Sequence, residues 1–212
     1  MKVYFIRHGN TFEKPDPPRQ IGIKTDLHLT QKGTQQIEKL KAYFIRHHIT
    51  PIKIYCGELS RQIQSANILT STSTKNLTPQ ISSAFNELDY GKWEGLTRDE
   101  IIAHWSHEYN SWIKQCKWPT NIFLGKEQNH IQILNSWLKD ILHKHDKNSI
   151  VFAVSSQGII RYLLKLANKN WNEIISKQQM EEYKINPGNF CLVELTQKKI
   201  EILEWNNSPS QN

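Results

Sequence analysis

Apolar positions along the chain repeat with two different spacings. Short runs rich in β-branched and aromatic residues occur at Val3–Ile6, Ile52–Cys56, Ile150–Val154, Phe190–Leu195 and Ile200–Trp205. These read as strands. The intervening segments space their apolar residues three or four apart, as one face of a helix requires. Thr30 to Ile45 carries Ile37, Leu40, Phe44 and Ile45, with Thr30 as its expected N-cap. Arg61 to Thr70 aligns Ile63, Ala66 and Leu69, and His130 to Leu142 aligns Ile133, Leu134, Trp137, Leu138 and Ile141. Gly158 to Ala167 predicts a fourth helix with a strongly apolar face. Strands alternating with helices predict an α/β protein, a three-layer α/β/α sandwich around a mostly parallel sheet. The last two strands, joined by Thr196–Lys199, read as a hairpin, which makes the sheet mixed.

Leu96 to Asn129 breaks this rhythm. It holds Trp105, Trp112 and Trp118 with Tyr109, His104 and His107, and no strand pattern. It reads as a helical cap inserted over the sheet edge within a single domain spanning residues 1–212, its tryptophans serving the core rather than a ligand. The polar stretch Asn206–Asn212, with Pro209, reads as a mobile tail.

Composition narrows the class. The 212 residues are 38% hydrophobic and 22% charged, with mean hydropathy −0.60, as expected of a soluble globular protein. The apolar run after Met1 is too short for a signal sequence, and no stretch reaches membrane-spanning length. Cys56, Cys116 and Cys191 are widely separated and odd in number, so a disulfide framework or a zinc site is not expected, nor is a cofactor. Reduced thiols in a cytoplasmic protein are the expectation. A net charge of +7 suits anionic ligands, yet the lysines are scattered, without a basic run or a nucleic-acid-binding motif. Neither nucleic acid nor membrane is an expected partner.

Four loops carry candidate chemistry, three of them at strand ends. The first strand ends in Arg7-His8-Gly9-Asn10-Thr11. In an open α/β sheet, ligands bind beyond the carboxyl ends of the strands. There an arginine fork can hold two phosphate oxygens, and a neutral imidazole can attack phosphorus. The second strand leads to Arg61 in a helical first turn, where free N–H groups also favour an anion. The loop Asn86–Gly95 contains Glu87, Asp89 and Glu94; a carboxyl buried beside a phosphate has its pKa raised and can protonate a leaving oxygen. Finally, Ser155-Ser156-Gln157-Gly158 precedes a helix, as a phosphate loop or simply as an N-cap.

Taken together, these loops resemble the histidine phosphatase superfamily in its phosphoglycerate-mutase-like branch. Arg7-His8-Gly9 with Thr11 matches the opening motif. Gly22, Asp26, Leu29-Thr30, Gly33 and Gln36 match the segment after it. Arg61 with Gln64-Ser65-Ala66 matches the second motif, and Glu87, Asp89, Gly91 and Trp93-Glu94-Gly95 match the third. Gly125 and Glu127 match a later segment loosely, and Val151–Leu166 matches the last motif in pattern. The ordered set spans nearly the whole chain. The resemblance implies a covalent mechanism: His8 as nucleophile, Arg7 and Arg61 as phosphoryl clamps, and Glu87 as proton donor to the leaving group. Asn10, Ser156 and Gln157 are the further expected phosphate contacts.

The last motif departs from the family, which has Ser-His-Gly with a second histidine facing the nucleophile. Ser156 stands in that histidine's place. Loss of a charged donor predicts turnover reduced by about 10²–10³-fold, by analogy with removal of one transition-state donor. His104, His107 and His130 are candidate substitutes from elsewhere, though surface or structural roles suit them better. Asn10 replaces a glutamate or glutamine common in the family, and Asn135 occupies about the place of a frequent arginine. The expected function is hydrolysis of a phosphate monoester, with a small phosphorylated substrate or a phosphoprotein as partner. The alternative is an impaired relative that binds a phosphorylated ligand. A mutase is disfavoured, because it must shield its phosphoenzyme from water. The sequence leaves the oligomeric state open, a homodimer included.

Overall fold

The structure, a computed structural model, describes residues 1–73, 75–167 and 183–209. Its centre is a six-stranded sheet in the order β3-β2-β4-β1-β5-β6. The strands are β1 (Lys2–Arg7), β2 (Lys53–Cys56), β3 (Gln80–Ile81), β4 (Ile150–Ser155), β5 (Phe190–Leu195) and β6 (Ile200–Asn207). β1, β2, β3 and β4 run parallel, while β5 pairs antiparallel with β1 and β6 with β5. The sheet is therefore mixed, as the terminal hairpin predicted. The two-residue β3 escaped sequence reading because so short a strand has no periodicity to detect.

Strand alternation divides the interior into two cores. Val3 and Phe5 of β1, Val151 and Ala153 of β4, and Cys191 and Val193 of β5 face one side. Tyr4 and Ile6, Phe152 and Val154, and Phe190 and Leu192 face the other. Helices α1 (Gln31–Arg46) and α2 (Ser60–Leu69) cover the second side through Ile37, Leu40, Phe44, Ala66 and Leu69. Phe44 packs on Phe152 with ring centres 4.5 Å apart. Helix α4 (Glu127–Lys144) covers the first side through Leu134, Trp137, Leu138 and Ile141. Helices on both faces of a two-sided apolar sheet form the expected three layers. Among the described residues, no helix is long and apolar enough to cross a membrane.

The predicted helix Gly158–Ala167 is divided into α5 (Gln157–Ile160) and α6 (Tyr162–Ala167) by a turn at Arg161. The backbone of Arg161 stays helical, at φ −59° and ψ −25°, but Leu164 N–H bonds the Arg161 carbonyl three residues back, which tightens the turn. Residues 96–129 contain α3 (Arg98–Gln115), opened by a Thr97–Glu100 capping box and kinked at Trp105. Its buried Ile101 and Trp112 join Tyr90, Trp93 and Phe123 in the first core. The anticipated mobile tail is partly corrected. Asn206 and Asn207 belong to β6, and Asn206 is tied down: its side-chain oxygen accepts from Asn186 N–H at 2.7 Å and from Asn189 Nδ2 at 2.9 Å. Residues 210–212 of that prediction lie outside the described residues.

Candidate active site

Where β1 ends, the parallel strands open onto a cavity of about 190 Å³. Its walls include Arg7, His8, Asn10, Glu87, Tyr90 and Gln157. The chain leaves β1 by a fixed route. His8 N–H bonds the Ser155 carbonyl at 3.0 Å, continuing the β1–β4 ladder one step past the strand. Gly9 then passes against Gly33 of α1 so closely that a Cβ on Gly9 would lie 2.3 Å from the Gly33 carbonyl oxygen. Thr30 caps α1 as predicted, accepting from Gly33 N–H at 3.0 Å, and its own N–H bonds the Asn10 carbonyl. Gln36 accepts from Asn10 N–H at 2.9 Å. These contacts are what the spacing of Gly9, Thr30, Gly33 and Gln36 encodes: α1 is docked against the loop that aims His8.

His8 is 5% exposed, and its Nδ1 lies 2.7 Å from the Gly9 carbonyl oxygen. A carbonyl can only accept, so Nδ1 carries the hydrogen and Nε2 keeps its lone pair. Burial, reinforced by the Arg7 and Arg61 cations, holds the imidazole pKa well below its ordinary value, so the ring is neutral near pH 7. Arg7 donates through Nη1 to the Gln157 side-chain oxygen at 2.7 Å and to the Ile185 carbonyl at 2.5 Å. Asn10 lines the cavity with its amide donating to the Phe12 carbonyl.

Arg61 and Ser156 are placed differently from the other predicted contacts. Both are completely buried behind the cavity wall. Arg61 donates to the carbonyls of Thr25 (2.8 Å) and Gly22 (3.2 Å), while acting electrostatically on His8 and Glu87. The loop beneath it is pinned from two sides. Glu94 accepts from Gly22 N–H at 2.8 Å and from the Thr25 hydroxyl. Asp26 accepts from both the N–H (2.7 Å) and the hydroxyl (2.8 Å) of Ser60, the first residue of α2. Leu59 at the N-cap position has no side chain able to cap, so Asp26 does this from across the chain.

Ser156 occupies the N-cap position of α5 but makes no side-chain cap bond. Its hydroxyl accepts from Gln62 Nε2 at 3.0 Å and lowers the pKa of the nearby Glu87 carboxyl, while Ser155 donates to the Phe85 carbonyl at 2.9 Å. Neither serine acts as the helix cap that the sequence suggested, because each hydroxyl is engaged by the Phe85–Glu87 loop or by α2. Among the described residues, His8 is the histidine lining this cavity; His104 and His107 are exposed on α3, and His130 packs beside Trp118.

Glu87 is 5% exposed, with Leu88 N–H donating to its Oε1 at 2.9 Å. Burial raises its pKa, an effect partly offset by that N–H, by Arg61 and Arg7, and by Ser156. Gly158 leaves room for it: a Cβ there would lie 2.5 Å from Glu87 Oε1 and 2.7 Å from the Tyr90 hydroxyl. Tyr90 is held neutral, its pKa pushed far up by burial and by Glu87. Tyr90, Trp112 and Arg161 were not identified as site residues from sequence; each looks like an ordinary core or helix residue until the fold brings it to the wall.

Comparison with known proteins gives the family and the fold. The sequence profile of the histidine phosphatase superfamily (branch 1) matches residues 3–208. Adenosylcobalamin/alpha-ribazole phosphatase of Escherichia coli K12 is 24% identical over 206 residues, 93% of this chain and 92% of that protein. The 2,3-bisphosphoglycerate-dependent phosphoglycerate mutase of Buchnera aphidicola is 25% identical over 207 residues, 82% of this chain and 87% of that one. Among solved structures, mycobacterial glucosyl-3-phosphoglycerate phosphatase shares the fold with a TM-score of 0.77 at 19% identity, over 98% of this chain and 99% of that one. With a family match running from β1 into the turn after β6, the chain belongs to the histidine phosphatase superfamily.

Proposed function

We propose that the protein hydrolyses phosphate monoesters through a phosphohistidine at His8. The observation that carries this reading is the tautomer: a buried neutral imidazole whose Nδ1 is committed to the Gly9 carbonyl, leaving Nε2 as a nucleophile. Nε2 attacks phosphorus, the P–O bond to the leaving group breaks, and Glu87 gives its proton to that oxygen. Arg7 meets the equatorial oxygens, where charge concentrates in a loose transition state, and Arg61 adds its positive charge from behind the cavity wall. Glu87, now a carboxylate, takes a proton from the water that cleaves the P–N bond, releasing phosphate and restoring His8. The raised carboxyl pKa suits this double duty. The phosphatase named in E. coli and the mycobacterial phosphatase sharing this fold support the reaction class. Steady-state release of phosphate from an aryl phosphate tests it: turnover clearly above a His8→Ala control is expected, and turnover equal to that control contradicts it.

A second reading follows from Ser156. Its hydroxyl is enclosed between Gln62 and Glu87 and does not line the cavity, so no side chain at that position replaces the family's second histidine as a phosphoryl donor. A protein that binds a phosphorylated ligand without turning it over fits that loss. Tight phosphate binding without hydrolysis supports this reading; sustained hydrolysis excludes it.

A further inference from the structure

The cavity carries more positive charge than one phosphoryl group needs. Arg7, Arg19 and Arg161 line it against Glu87 as its carboxylate, with Arg61 buried behind. Arg7 and Arg61 are the cations that act on His8. Arg19, at the rim, is occupied by the Gly95 carbonyl at 2.8 Å and by Glu100 at 3.5 Å. Arg161 remains. It is 4% exposed, and among the described residues no carboxylate pairs with it. Its Nη2 donates to the Trp112 carbonyl at 3.0 Å and to Cys116 Sγ, its guanidinium stacks on the Trp112 ring at 4.6 Å, and its enclosed Nε has no partner.

Burying a charge without a counter-charge is costly, and an aromatic face recovers only part of the cost. If Arg161 served only to tie the end of α3 to α5, a neutral donor would suffice, because that tie uses Nη2 alone. Its position separates it from the reacting phosphoryl group. Tyr90 lies within electrostatic reach of both Arg7 and Arg161, whereas Arg161 is not among the charges acting on His8. Trp112 and Ile113 supply an apolar wall nearby.

Building on the phosphatase reading, we infer that Arg161 receives a second anionic group of the substrate, so that preferred substrates are phosphate monoesters also bearing a carboxylate or a second phosphate. Arg7 takes the reacting phosphoryl group, with the charge of Arg61 behind it, and Arg161 takes the other charge across the Trp112 wall. A desolvated, charge-assisted contact of this kind corresponds to roughly 10- to 100-fold in affinity.

Calorimetric titration of the full chain with non-hydrolysable phosphonates tests this without requiring turnover. The series is butylphosphonate, 4-phosphonobutyrate and 1,3-propanediphosphonate, alike except for a terminal methyl, carboxylate or phosphonate on the same three-methylene chain. At least one terminal anion is expected to bind roughly 10-fold tighter than the methyl compound, and the better of the two identifies the anion. Arg161→Met is expected to abolish that advantage, and Arg161→Lys to keep much of it. Equal binding across the series, or an advantage that survives in Arg161→Met, overturns the inference while leaving the phosphate site standing. Failure of every phosphonate to bind overturns the phosphate site and this subsite together. If Arg161→Met does not fold, the unmodified chain and the neutral Arg161→Gln decide: an anion advantage lost in Arg161→Gln supports the inference, and one unchanged in it, or absent from the unmodified chain, overturns it.

Discussion

The two walls of the cavity are built by different means. The wall bearing His8 and Arg7 continues the sheet: backbone hydrogen bonds carry β1 one residue beyond its end, and the Gly9–Gly33 contact fixes the turn. The wall bearing Trp112, Ile113 and Arg161 comes from a helix kinked at Trp105 and from the turn between α5 and α6, held by side-chain packing and one guanidinium. A group that must meet phosphorus along one line needs the rigidity of a ladder. A group that selects the remainder of a substrate can rest on packing. Chemistry is therefore expected to fail steeply when the first wall is altered, and selectivity to change when the second is.

The largest effect is expected from His8→Ala, which removes the proposed nucleophile. Turnover of an aryl phosphate should fall on the order of 10⁴-fold or more, measured as initial rates of phosphate release. Glu87→Gln follows, with a loss of roughly 10²–10⁴-fold for an alkyl phosphate, and distinctly less for an aryl phosphate whose leaving group needs no proton. If both substrates lose equally, Glu87 is not the acid. The pH profile adds a sign. Glu87 must be protonated and its pKa is raised, so the rate declines on the alkaline side as pH passes through that raised value. His8 must be neutral and its pKa is lowered well below 6.5, so the acid limb lies below the pH at which an ordinary histidine would charge.

Gly158→Ala should come next, because its Cβ would press on Glu87 and the Tyr90 hydroxyl. A loss of roughly 10²-fold in kcat is expected, comparable to a small misplacement of a catalytic group. Wild-type kcat in this variant would show that α5 can shift away. Ser156→Ala is expected to have the smallest effect, a several-fold drop on the scale of one neutral hydrogen bond. Its diagnostic is the pH profile: the Ser156 hydroxyl lowers the Glu87 pKa, so its removal moves the alkaline limb to higher pH. An unmoved limb would separate Ser156 from Glu87.

The same contrast explains what could be read from the chain. The unbroken apolar runs Val3–Ile6 and Ile150–Val154 predicted strands buried on both faces, because successive strand side chains point to opposite sides. Thr30 signalled a capped helix, since capping is local chemistry. Resemblance identified Arg7, His8, Arg61 and Glu87 as a set, but not that Arg61 would be turned onto the Gly22 and Thr25 carbonyls. The inward hydroxyl of Ser156 depends on Gln62, a residue 94 positions away, which no local pattern reports. Arg161 and Trp112 read as a helix arginine and a core tryptophan; their place at the cavity exists only once α3 lies against the turn after α5.

The most direct test of the central claim is to trap the intermediate. The protein is mixed with an aryl phosphate, quenched in base, and digested, and the His8 peptide is examined for phosphate by mass spectrometry and for loss of that phosphate in acid. An acid-labile, base-stable phosphate on His8, absent from His8→Ala, is the predicted result. Hydrolysis that proceeds with His8 never phosphorylated, or undiminished in His8→Ala, would contradict the account.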